Sequence, residues 1–432
     1  MNSSTDSPPL QLTSTVGIVI SSMIGAGLYT TSGFALSDLH SPFLVLLAWG
    51  IGGLLALCGA IAYGALATRF AQSGGEYLYL SKTLHPAAGS VAGVVSMIAG
   101  FTGAMAISAL TFETCLLEIA GQKWSCPHGL IATAVIGFAA IQHLFRVRLG
   151  IQLQTAVVLM KLVLLVVFLL VAASLSPERW AGSLSSSSEQ TDVSLAVFAT
   201  SLMWITFSYC GFNAAIYCAD EVQHPERTIP RAMLVGTAVV TLFYLLMNAV
   251  FVLAPPSEQI AGQQQIATIA ARYVAGDHFA ILMGFTIALS LYTSVSAMTL
   301  TGPRVYAKMA DDGILPKIFR FQKDAPKAGI LCQAVAAILI VHMASLQQLL
   351  TYLGFTLSVS AALSVGMLIW HSWKIREPKL NWWQTAASLI YVVTTLLIAY
   401  LSASRYPLES LWGLSTLVAG LILYGVRRRE FS

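Results

Sequence analysis

One lysine stands inside an uncharged stretch, Gln154-Thr155-Ala156-Val157-Val158-Leu159-Met160-Lys161-Leu162. It lies about ten residues into an apolar run, or ~15 Å at the helical rise, too deep for its stem to reach water. A lysine at the centre of a bilayer costs roughly 2.5–3.5 kcal/mol on insertion scales. Lys161 must therefore find partners or be able to give up its proton. It can act as a fixed cation tying helices together, as a proton carrier, or as a permanent stand-in for a bound ion. Two other segments carry main-chain chemistry. Met23-Ile24-Gly25-Ala26-Gly27-Leu28 places two glycines in the middle of an apolar run. Each glycine weakens a helix by up to ~1 kcal/mol relative to alanine. An unwound segment would bare N–H and C=O groups at membrane depth, where they survive only against a cavity or a ligand. Free N–H groups at a half-helix N-terminus suit a carboxylate. Gly17, Ser21 and Gly25 stand at four-residue steps, so close helix packing through small residues explains the same segment equally well. Phe207-Ser208-Tyr209-Cys210-Gly211-Phe212-Asn213 is the second polar, glycine-bearing interruption, and Gly211 follows Gly27 by 184 residues. Paired interruptions at matching places in two halves point to a transporter's midplane site, and an aromatic packing seam is the alternative.

The elements that must hold these residues are membrane helices. The 432 residues are 56% hydrophobic and 10% charged, against roughly 25% charged in soluble domains. That balance excludes a soluble enzyme, a disordered chain and a nucleic-acid binder. Hydropathy places twelve spans near 14–36, 43–68, 88–117, 128–144, 151–174, 193–219, 231–254, 278–307, 328–345, 350–371, 382–403 and 408–426. Eighteen of the 23 Lys and Arg then fall in loops on the side of the termini, four fall opposite, and Lys161 remains within a span. Positive charge collects on the cytoplasmic side, so both termini are expected there. One missed span would mix the two sets. Residues 1–14 hold no Lys or Arg, so the basic start of a secretory signal is missing. The Ser-rich stretch 181–190 reads as a loop.

Other ionisable groups are sparser. Glu113, near the outer end of the third span, reads as a vestibule residue or a proton relay, and Glu118 follows just beyond. His143, His342 and His371 sit near span ends and are expected at the interfaces. Trp370, Trp373, Trp382 and Trp383 read as interface belts. No histidine or cysteine spacing suggests a metal, and no catalytic motif appears, so neither enzyme chemistry nor a cofactor is expected.

These residues resemble the amino acid–polyamine–organocation superfamily of transporters, in its sodium-independent branch of L-type and cationic amino-acid carriers. Ile24-Gly25-Ala26-Gly27-Leu28 is similar to the family's helix-one break, with Ala26 where Ser is common. Gly74-Gly75-Glu76-Tyr77 resembles its P-G-G-x-Y motif. Phe207 to Asn213, with Asp220-Glu221-Val222 and Pro225-Glu226-Arg227-Thr228-Ile229-Pro230-Arg231-Ala232, resembles its helix-six break and the loop that follows. Arg304-Val305-Tyr306-Ala307 and Asp312-Gly313-Ile314-Leu315-Pro316 resemble the loop after helix eight.

The resemblance implies an all-α integral membrane protein of LeuT-like fold, a single domain over 1–432. Inverted five-helix repeats would run about 14–174 and 193–371, with two extra helices about 382–426. It implies an amino-acid site between the breaks, with the substrate carboxylate on the N–H groups of Ala26 and Gly27. The α-ammonium would meet carbonyls of Met23, Phe207 and Cys210. The Phe207 ring would gate the site, and Gly211 would admit the backbone. Lys161 matches the family's helix-five lysine, with the Gly25 carbonyl and the Ser294 hydroxyl as implied partners, in place of a sodium ion. The function implied is a multi-pass cell-membrane permease moving amino acids by alternating access, coupled to protons or to exchange. A polyamine carrier would need acidic groups, of which Glu113 is the candidate, and a non-transporting sensor on the same scaffold is the other alternative. A partner subunit is left open.

Overall fold

Hydrocarbon gives a backbone no partner but itself, and this chain answers with helix. The computed structural model describes residues 10–70, 72, 74–120, 126–145, 147–174, 193–322, 325–375 and 380–431. The stretch 181–190 and Lys123, Arg146, Arg179, Lys323, Arg376 and Lys379 lie outside them.

The first expected span is two helices, α1 (Leu12–Met23) and α2 (Ala26–Leu39), bent by 41° at a short break. α3 (Pro42–Arg69) begins with Ser41 accepting the Leu44 N–H and Pro42 in its first turn, a standard start signal. α4 (Gly75–Thr83) is a short helix on the face of the termini. The third span is continuous over Pro86–Ala120: α5 (Pro86–Val95), a π-helical stretch over Ser96–Gly103, and α6 (Ala104–Ala120). The wide turn leaves the Met97 carbonyl to the hydroxyls of Thr102 and Tyr306, at 2.6 and 3.1 Å. Then come α7 (Leu130–Phe145), α8 (Val147–Ser174) and α9 (Leu195–Ser208). A 3-10 helix over Ala214–Glu221 precedes α10 (Pro225–Leu253). Two short helices, α11 (Ser257–Ile260) and α12 (Ile266–Ala275), lead into α13 (Asp277–Asp311). The chain ends with α14 (Lys327–Met343), α15 (Leu346–Ile375), α16 (Trp382–Arg405) and α17 (Pro407–Phe431).

Among the described residues, eight helices are long and apolar enough to cross a membrane, and the bent α1–α2 pair makes a ninth. The fourth, sixth and ninth expected spans are shorter apolar helices, α7, α9 and α14. Each of the twelve segments read from hydropathy thus meets a helix, and α12 is an additional one.

Packing divides these helices. The α1–α2 pair, α3, α9 and α10 touch one another, while α6, α7, α13 and α14 form a second group, with α8 laid against α13. In α8 the buried side chains Lys161, Leu165, Phe168 and Ala172 recur every three or four residues, and the exposed Leu159, Val163, Val166 and Leu170 form the opposite stripe. One helix face therefore meets protein and the other meets lipid. Both ends of the described chain lie on one face. Leu10 pairs with Val222, and Arg427 lines a cavity together with Asp220.

His143 departs from the interfacial position expected of it. It is fully buried, with Nε2 2.8 Å from the Ser296 hydroxyl of α13. Trp373 and Trp382 are largely exposed, as an interface belt requires.

Candidate functional site

Gly25 separates α1 from α2. α1 closes with the Ile24 N–H bonded to the Ile20 carbonyl, and then both Ile24 and Gly25 turn to extended backbone. α2 starts again at Ala26, and no side chain caps its N-terminus. The N–H groups of Ala26 and Gly27 stand in that first turn, where a helix leaves its donors unpaired.

The second interruption follows α9. Turn residues Tyr209 to Asn213 lead into the 3-10 helix, and Gly211 adopts a φ of +107°, which a residue with a Cβ rarely reaches. The Tyr209 N–H bonds the Thr206 carbonyl at 3.1 Å, and the Cys210 N–H bonds the Phe207 carbonyl at 2.9 Å.

The two breaks touch, and glycine permits it. A Cβ on Gly27 would stand 2.8 Å from the Ser208 Cα, and one on Gly211 would stand 2.7 Å from the Ser22 carbonyl oxygen. Thr31 and Ser208 join across the contact through their hydroxyls at 2.9 Å. Tyr244 of α10 completes the junction. Its hydroxyl donates to the Met23 carbonyl and lies 3.2 Å from the Ser208 carbonyl, so one phenol spans the free ends of both broken helices. Asn248 steadies the same helix by accepting from Ser32 at 2.6 Å and donating to the Tyr244 carbonyl at 2.9 Å.

Lys161 approaches from α8. It is 1% exposed, and its ammonium donates to the Ile24 carbonyl at 3.0 Å. This corrects the expected partners, the Gly25 carbonyl and the Ser294 hydroxyl. The break frees the Ile24 carbonyl one residue earlier, and Ser294 instead donates to its own helix at the Ser290 carbonyl, 3.2 Å away. Ser294 still faces the break: a Cβ on Gly25 would lie 3.8 Å from its hydroxyl. The Met23 and Phe207 carbonyls, assigned to a substrate ammonium, already accept from Tyr244 and Cys210, each through one of two lone pairs.

Comparison with known proteins meets this geometry. A profile of the family described as "Amino acid permease" matches residues 10–420. The chain belongs to the amino acid permease family. It is 22% identical over 429 residues to the human "Large neutral amino acids transporter small subunit 2", covering 96% of this chain and 79% of that one. It is 25% identical over 365 residues to the mouse "b(0,+)-type amino acid transporter 1", covering 83% and 74%. It is 23% identical over 365 residues to the human "Cystine/glutamate transporter", covering 83% and 73%. These relatives are transporters and not enzymes, and the fold of this permease is an all-α, multi-pass membrane bundle of LeuT-like type.

Glu113 of the permease belongs to the scaffold. Its carboxylate accepts the main-chain N–H groups of Gly129 and Ala132, at 2.7 and 3.0 Å, and so caps the N-terminus of α7. Two residues the sequence reading did not single out stand near the breaks. One is Tyr244, which hides in an apolar helix as an ordinary core aromatic. The other is Glu76, which in the sequence is only one letter of the Gly74-Gly75-Glu76-Tyr77 motif. The permease buries Glu76 to 8% exposure. Tyr63 of α3 donates to one of its oxygens, and Ser360 of α15 donates to the other at 3.1 Å. Burial pushes its carboxyl upward from the ordinary value, and the two hydroxyls pull part of the way back. A cavity of about 840 Å³ also opens on the face of the termini, lined by Lys82, Asp220, Lys308, Asp312 and Arg427 among others. No residue of either break lines it.

Proposed function

We propose that this permease carries amino acids across the cell membrane by alternating access, without sodium, with both termini in the cytoplasm. The observation that carries the reading is the contact of the two interrupted helices, Gly27 against Ser208 and Gly211 against Ser22. In this reading the substrate carboxylate meets the N–H groups of Ala26 and Gly27, where a half-helix dipole favours an anion. The α-ammonium meets the Cys210 carbonyl and the remaining lone pairs of Met23 and Phe207. The Phe207 ring covers the bound molecule. Lys161 holds the break from the other side, with its charge in the place of a cation.

Inverted repeats over about 14–174 and 193–371 would give the two helix groups their motion, with the helices over about 382–426 outside the exchange. Substrate moves such an equilibrium only by binding one conformation better than the other. Coupling to protons and coupling to a second amino acid both fit this scheme.

A polyamine carrier is less well supported, because the Glu113 carboxylate already bonds α7. A sensor on this scaffold would bind amino acids and move none.

The deciding experiment is purified chain in liposomes given labelled leucine, arginine or glutamate, with and without an acid-outside gradient, internal amino acid, or sodium. Saturable uptake unchanged by removing sodium is the expected result. Binding with no uptake would favour the sensor. One relative is named a small subunit, and transport by this chain alone would show that it needs no companion. Labelling of cysteines introduced near Leu10 and Arg427, from one side of intact cells, tests the orientation.

A further inference from the structure

Glu76 has a setting that the transport cycle above does not use. It is a buried carboxylate, and among the described residues its two hydrogen-bond donors are both hydroxyls. The facing titratable groups are Tyr63 from α3, Tyr79 from its own α4, Cys210 from the break after α9, Tyr217 from the 3-10 helix and Tyr391 from α16. None of these is a cation, and none of the described ion pairs involves Glu76. Glu113 offers the contrast. Its partners are main-chain N–H groups, which only donate. Hydroxyls donate and accept, so the pocket around Glu76 can hold either protonation state without moving a heavy atom.

We propose that Glu76 is the proton-binding site of this transporter, loaded when the terminal face is closed and emptied when it opens. When Glu76 takes a proton on the oxygen facing Ser360, that O–H donates to the Ser360 oxygen. The Ser360 proton then turns to the Thr356 carbonyl one helical turn earlier, a bond that serines in helices commonly make. Tyr63 keeps its donation to the other oxygen. Every donor and acceptor remains paired through the change.

The link to movement lies in the origin of the walls. Tyr63 rides on α3, packed along α10, whereas Ser360 rides on α15, packed against α16, α17 and α9. Tyr217 follows directly from the broken segment and packs over Gly75, where a Cβ would run into its ring. Parting these elements at the terminal face admits water to Glu76. Hydration favours the charged form and releases the proton. The assignment deepens the transport reading and rests on it for direction: with the termini in the cytoplasm, the proton leaves on the same side as the substrate, which is symport.

Infrared difference spectroscopy on the purified full chain, stepped between mildly acidic and alkaline buffer, reads the protonation without needing transport. The expected result is a protonated-carboxyl band that Glu76→Gln removes. Ser360→Ala takes away a donor to the anion and should move the titration of that band to higher pH. In liposomes, an acid-outside gradient should stimulate leucine uptake by the wild type and not by Glu76→Gln. Absence of the band, or a band that Glu76→Gln leaves intact, overturns the site. Equal stimulation of both proteins by acid overturns the coupling. A wild type that shows the band and moves no amino acid sinks the transport reading, and the site stands.

Discussion

The Lys161 ammonium meets the Ile24 carbonyl at 3.0 Å, and that carbonyl is free because the chain leaves the helix at Gly25. A buried cation and a helix break are thus one feature: each supplies what the other lacks. Lys161→Met keeps the stem and deletes the charge, leaving the carbonyl buried without a partner at a cost of about 1–3 kcal/mol. Uptake should fall at least about tenfold, the equivalent of ~1.4 kcal/mol, while the protein still inserts. Wild-type uptake in this variant, measured in liposomes at matched protein, would remove Lys161 from the mechanism.

Gly27 tolerates no side chain. A Cβ would lie 2.7 Å from the Ser208 Cβ and 2.8 Å from its Cα. Gly27→Ala should destabilise by about 1–3 kcal/mol through overpacking and abolish substrate binding. Ser208→Gly on that background should restore part of the stability. A double-mutant cycle on melting temperature is the measurement, with a coupling of about 0.5–3 kcal/mol expected for residues in contact. Strictly additive effects would contradict the contact.

Tyr244→Phe removes one oxygen and unlinks the Met23 and Ser208 carbonyls. The expected loss is about 1–3 kcal/mol in detergent melting, with weakened substrate binding by titration calorimetry. An unchanged melting curve would mean that the phenol contributes no net bond.

Stability should also depend on pH through Glu76. Its carboxyl binds a proton more tightly folded than unfolded, above the ordinary value of 4.5. The folded state therefore carries the extra proton over the window from that value upward, and stability falls as pH rises through it. Below the window the advantage is complete. Glu76→Gln should flatten the slope of melting temperature against pH. Parallel slopes in variant and wild type would leave Glu76 without this role.

Glu113→Gln keeps the shape and removes the charge that caps α7. Melting should fall by about 1 kcal/mol or more, with the order of preference among leucine, arginine and glutamate unchanged. A shift in preference away from arginine would revive the cationic-amine reading.

The parts legible in the sequence were those that break a rule of the bilayer. Glycines within an apolar run mark the interruption at Gly25, and a lone charge among aliphatic residues marks Lys161. Their partners were not legible, because spacing along a chain does not say how one helix is rotated against another. That is why Lys161 bonds Ile24 and not Gly25. Glu113 reaches its N–H partners 16 and 19 residues on, across a loop that no periodicity describes. Glu76 is bonded by Tyr63 of α3 and Ser360 of α15, drawn from two separate elements, so nothing in its neighbourhood of sequence announced it. Tyr244 differs from a packing aromatic only by where its oxygen ends.

The far end of α2 carries its own restriction. The Gly262 N–H bonds the Gly33 carbonyl at 2.8 Å, and a Cβ on Gly33 would lie 2.8 Å from the Ile266 side chain. The segment bearing α11 and α12 is thus clasped to the half-helix that begins at Ala26. Whatever swings α2 away from its neighbours must either drag this strap with it or undo the clasp. In the proposed cycle, entry from the side opposite the termini would therefore involve a loop that shares no residue with either interruption.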